Sequence, residues 1–147
     1  MFRSAAAIVA GVVVAFVTVM LIDMLGHTIF PPPEGLDFSD PDAIRPYLAT
    51  LPVGAYLFIL ASSVVAAFVG TLLACYIGRN NPALFGGVVG GIVLAATIAN
   101  FIAIPHPLWL SISTLAGVVL STLLAMRLAP NRPTEATEDD TSESDPG

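Results

Sequence analysis

The sequence predicts an all-α integral membrane protein: an antiparallel four-helix bundle with a short extracytoplasmic helix and a disordered acidic C-terminal tail. Three observations carry that prediction. Apolar residues fill 56% of the 147 positions and the mean hydropathy is +0.86, far above a soluble domain. They gather into four runs of about 20 residues, enough at about 1.5 Å rise each to cross the ~30 Å hydrocarbon core. Charge is kept out of those runs. Of the eleven acids, six lie in the last 13 residues, four between Pro31 and Pro52, and the eleventh is Asp23. A net charge of -6 with no Lys argues against nucleic acid as a partner. The single cysteine, Cys75, excludes an intrachain disulfide or a CxxC metal site and suits apolar packing.

The first span runs over about 4–29. It is longer than the roughly 7–15 residues of a signal-peptide core, and no A-x-A site follows Ile22, so an uncleaved helix is expected. Pro31-Pro32-Pro33 must stop it near Phe30, because proline lacks the donor a helix needs and favours extended chain. In the acidic connection that follows, Ser39-Asp40-Pro41-Asp42 has the pattern of a helix start. Asp40 suits the N-cap, Pro41 the first helical position and Asp42 the positive end of the dipole. Ile44, Tyr47, Leu48 and Leu51 fall at i, i+3, i+4, i+7, which predicts a short helix lying on the membrane surface, with Pro46 inside it as a conflicting signal.

The second span covers about 53–77 and ends in the turn Gly78-Arg79-Asn80-Asn81-Pro82. A third, about 83–104, is broken by Pro105-His106-Pro107; a fourth, about 108–126, is followed by Arg127 and Arg132. Residues 1–130 thus form one four-span domain, and 131–147, nearly without apolar residues, a disordered tail. Arg3, Arg79, Arg127 and Arg132 fall on one side of this topology and only Arg45 on the other. The positive-inside rule then puts both termini in the cytoplasm and the Pro31 to Pro52 loop outside. Tyr47, Tyr56 and Trp109 would form an outer aromatic belt, with Tyr76 at the inner face.

Lipid tails leave little hydrophobic drive between helices, so close approach needs small side chains. Each span has a row of them at i, i+4 spacing. Ala7, Gly11 and Ala15 lead through Val19 to Asp23 and His27; the second row is Ser62, Ala66, Gly70, Ala74 and Gly78. The third is Ala83, Gly87, Gly91, Ala95, Ala99 and Ala103, with Gly86 and Gly90 alongside, and the fourth Ser113, Gly117, Ser121 and Ala125. These rows are the expected helix-packing residues, and they turn Asp23 toward a neighbouring helix.

Counting rise from the span centres puts Asp23 and Asn100 about 10–12 Å toward the outside, and His27 and His106 about 18–20 Å. These four form the candidate polar cluster. An ionisable group at membrane depth costs on the order of 2.5–3.5 kcal/mol at the centre, so Asp23 calls for a partner or a function. As a structural group it would accept hydrogen bonds from Asn100, from a serine such as Ser111 or Ser113, or from water. As a functional one it would titrate in a proton- or ion-coupled carrier, or join His27 and His106 at zinc with Glu34 or Asp37 as a fourth ligand. No HExxH supports the metal, PHP is an awkward setting for a haem ligand, and no cofactor is expected. Neither GxSxG nor a phosphate loop is present, no catalytic residue is assigned, and the chain is read as non-enzymatic.

The motifs D-x-x-G-H-x-x-F-P-P-P at Asp23 to Pro33, S-D-P at Ser39 to Pro41 and I-P-H-P-L-W at Ile104 to Trp109 resemble a family of small uncharacterised bacterial four-helix membrane proteins. The likeness covers most of the chain before Pro130 and implies the four-span fold, but no activity. The leading functional expectation is therefore an integral membrane protein acting through helix packing or protein interaction, with the lipid bilayer, a homo-oligomer or another membrane protein as partner. The alternative is a small carrier or metal-binding protein working through Asp23, His27, Asn100 and His106.

Overall fold

The computed structural model describes residues 2–37, 40–78, 81–104 and 106–130. Ser39, Arg79, Pro105, Arg132 and the acidic tail, which bear on the helix start, the orientation and the domain boundary, lie outside them. The described chain forms five α-helices and no strand: α1 (Phe2–Ile29), α2 (Pro41–Thr50), α3 (Val53–Gly78), α4 (Pro82–Ala103) and α5 (Leu108–Leu128). All but α2 are long and apolar enough to cross a membrane. Their outward faces carry large apolar side chains such as Met20, Met24, Ile102 and Leu120. A continuous apolar surface of that kind suits lipid and is a liability in water.

Helix ends follow the local chemistry. Phe30 N–H closes the last turn of α1 on the Gly26 carbonyl at 2.8 Å, and the three prolines follow. Asp40 caps α2 by accepting from Asp42 N–H at 2.9 Å, with Pro41 in the first turn. Asn81 caps α4 through Leu84 N–H at 3.0 Å, again ahead of a proline. Within the spans, hydroxyls turn back on their own helix: Thr18 donates to Val14 O at 2.7 Å and Thr97 to Val93 O at 2.8 Å, as polar groups in lipid must be satisfied internally.

Helix α3 packs against α1, α4 and α5, and α4 also touches α1 and α5. Gly11 of α1 faces Gly70 and Ala74 of α3, while Gly26 faces Phe58 and Phe30 faces Gly54, so the two helices run antiparallel. By the same token Gly86 and Gly90 of α4 meet Met126 and Thr122 of α5, an antiparallel pair. The small rows of α1 and α3 make these contacts: Ala7, Gly11, Ala15, Ser62, Ala66, Gly70 and Ala74 are all buried. Gly117 packs against Val64, and Ser121 is buried.

Three expectations need correction. Gly87 and Gly91 do not pack: nothing would lie within 4 Å of a Cβ on either, and the whole row from Ala83 to Ala103 faces outward. The adjacent pair Gly86 and Gly90 packs instead, because one residue turns a helix by about 100° and α4 buries the face that also carries the bulky Phe85, Val89 and Val93. Ser113 is likewise exposed. The apolar face of α2 rests on protein rather than open membrane surface, with Ile44 and Leu48 both buried. Tyr56 is also buried, and its hydroxyl donates to Leu48 O at 2.5 Å, so it anchors α2 rather than joining a surface belt. That anchorage accounts for a helix that continues through Pro46.

Candidate functional site

Helices α1 and α4 touch where Gly11 approaches Val89, and toward the end of the molecule covered by α2 residues of both line two adjoining cavities. The mid-helix cavity, about 160 Å³, starts at the level of Ala15 and Val93 and has Ser62, Ser63 and Thr97 in its walls. The α2-end cavity, about 230 Å³, is a half-open pocket lined by residues of α1, α2, α3 and α4. Asp23, Ile59 and Asn100 line both, so the acid sits at their junction. His27 and His106 line only the α2-end cavity. No residue of α5 reaches either one, so Ser111 and Ser113 are not companions of Asp23.

Ser62 of α3 supplies the serine instead. Its hydroxyl donates to Ile59 O at 3.0 Å and also stands within hydrogen-bonding reach of the Asp23 carboxyl. A hydroxyl has one proton, so Ser62 must share it between two acceptors. Its membership of a small-residue packing row hid this second role in the sequence. The histidines are held by carbonyls: His27 Nδ1 donates to Asp23 O at 2.9 Å and His106 Nδ1 to Ile104 O at 2.7 Å. Since a carbonyl only accepts, the proton is on Nδ1 in the neutral ring, which makes Nε2 the acceptor. His106 also packs edge-on against Phe101, with centroids 5.1 Å apart.

Aromatic rings shape the α2-end cavity. Phe30 and Phe58 meet edge to face at 6.2 Å and 67°. Glycines give these rings their seats: a Cβ on Gly26 would lie 3.2 Å from Phe58 Cβ, and one on Gly54 3.1 Å from Phe30 Cζ. Tyr47 of α2 completes the wall. Gly26, His27, Phe30, Ile104 and His106, drawn from the two distinctive motifs, therefore converge on one cavity.

Among the described residues no three His, Cys, Asp or Glu come together as a metal site. Glu34 and Asp37, the expected fourth ligands, are exposed and line neither cavity, because the chain after the prolines leads away from α1. No Arg or Lys lines either cavity among the described residues. Arg45 pairs with Asp42 at 3.7 Å on the exposed side of α2. Comparison of the chain with protein families, with curated proteins and with solved structures finds no match.

Proposed function

We propose that the protein is a multi-pass protein of the bacterial inner membrane, an antiparallel four-helix bundle with cytoplasmic termini, and that its periplasmic half is a non-enzymatic binding site for a small ligand. One observation carries this reading: Asp23, the only acid in the spans, lies at the junction of two cavities and shares both with Asn100. A charge-bearing side chain is costly at that depth, and a protein needing only packing there would be served by Ala or Leu. The resemblance of the motifs to those of small bacterial four-helix membrane proteins supports the same location, since their residues surround the cavity. Carriage of the ligand across the membrane is the natural extension of the reading.

Ile59 lines both cavities, so Ile59→Trp should fill them. A fragment screen of nanodisc-embedded protein by saturation-transfer NMR should return ligands whose signals disappear in that variant. If every hit persists, the pocket is not a binding site. Reporter fusions at Gly35 and Gly147 test the orientation, and a periplasmic signal from the second would reverse it.

A second reading, an interaction protein, is supported by the outward row from Ala83 to Ala103 on α4. Six small residues facing lipid would let another helix approach closely. Disulfide trapping of Gly87→Cys between copies in native membranes would favour it, and strictly monomeric protein in the same assay would remove the homo-oligomer.

A further inference from the structure

Resting on the ligand-binding reading, we propose that the α2-end cavity takes a small organic cation, an ammonium carrying apolar substituents, with Asp23 as its counter-charge and aromatic rings as its walls. The lining combines one carboxyl and three aromatic rings with two histidines, His27 and His106, whose Nδ1 atoms are turned to backbone carbonyls. Asp23 brings a carboxyl, and Phe30, Phe58 and Tyr47 bring ring faces with a negative quadrupole. Among the described residues there is no guanidinium or ammonium in the wall to neutralise the acid or attract an anion. The Ser62 hydroxyl within reach of Asp23 is already engaged with Ile59 O.

Shape agrees with that assignment. The rings of Phe30 and Phe58 stand at 67° to one another, forming a corner rather than a stacked pair, so both can face a rounded group. A compact inorganic cation would want several oxygen ligands, and no acidic cluster supplies them. An ammonium with bulky substituents needs only one counter-charge and apolar or aromatic surface, both of which are present. The mid-helix cavity, walled by Ala15, Phe16, Val19, Val93 and Phe101, continues from Asp23 and would accept an apolar substituent. The ligand would then place its charge at the Asp23 junction, its head among the rings and its tail toward mid-membrane.

The test uses full-length protein in nanodiscs of zwitterionic lipid, with empty nanodiscs as reference, and three probes of similar size: benzyltrimethylammonium, benzyl alcohol and benzenesulfonate. Calorimetric or NMR titration should show binding of the cation in preference to the other two. Asp23→Asn, close in shape, should weaken the cation by about 30-fold or more, the range for removing one partner of a desolvated charge pair. Phe58→Leu should weaken it by roughly 2- to 30-fold and weaken benzyl alcohol less, which keeps the idea testable should the Asp23 variant misfold. Equal binding of all three probes, or cation binding insensitive to both substitutions, overturns the cation assignment while the pocket stands. No binding by any probe, together with fragment hits that persist in Ile59→Trp, overturns the pocket as well.

Discussion

Gly11 of α1 and Gly70 of α3 meet backbone to backbone: a Cβ on Gly11 would stand 2.7 Å from the Gly70 carbonyl oxygen, and one on Gly70 2.6 Å from the Gly11 oxygen. Real side chains do not come that close to a carbonyl, so even a methyl group must push the helices apart. Gly70→Ala should therefore cost about 1–3 kcal/mol, the usual range for overpacking. Gly91→Ala meets nothing within 4 Å and should be neutral or slightly stabilising, since alanine is the better helix former by up to ~1 kcal/mol. Unfolding in singly loaded nanodiscs separates the two. Equal costs would mean that α1 and α3 do not cross at these glycines.

The contrast between Gly70 and Gly91 also marks how far the sequence is informative. Length and hydropathy are local, so the four helices long and apolar enough to span a membrane were legible with ends within two residues or so. Counting rise along α1 and α4 put Asp23 level with Asn100 and His27 level with His106; in the structure all four line the α2-end cavity, and Asp23 and Asn100 also line the mid-helix one. Helix phase was not legible in α4. It is apolar all round and carries small residues on two adjacent faces, so spacing alone cannot choose Gly86 and Gly90 over Gly87 and Gly91. Nor could Ser62 be assigned to Asp23, because a serine in a packing row and a serine at a polar site look alike until the neighbouring helix is placed. The burial of α2 escaped notice for a similar reason: an amphipathic face suits lipid surface and protein surface equally.

Tyr56 ties α2 to the bundle through its hydrogen bond to the Leu48 carbonyl. That carbonyl lies in the last turn of the helix, where no intrahelical donor reaches all of the oxygens. Tyr56→Phe leaves it with only the Leu51 N–H at 3.1 Å and should cost about 1 kcal/mol. The loss should be local, appearing as faster amide hydrogen exchange over residues 43–51 with little change in α3. Unchanged exchange in that window would show that Ile44 and Leu48 alone hold the helix down.

Thr71 of α3 is fully buried, and its hydroxyl has no hydrogen-bond partner, unlike that of Thr97, which donates to Val93 O at 2.8 Å. Valine has the same outline as threonine with a methyl in place of the hydroxyl, so the two sites separate packing from hydrogen bonding. Thr71→Val removes an unsatisfied polar atom and should leave stability unchanged or raise it by up to ~1 kcal/mol, because an orphaned buried donor is a net cost. Thr97→Val removes a bond already made within α4 and should cost about 0.5–1.5 kcal/mol, the net range for an intramolecular hydrogen bond. Reversible unfolding of both variants under one set of conditions is the measurement. A larger loss at Thr71 than at Thr97 would mean that the Thr71 hydroxyl is bonded in the membrane, to the Ala67 carbonyl one turn back or to a buried water.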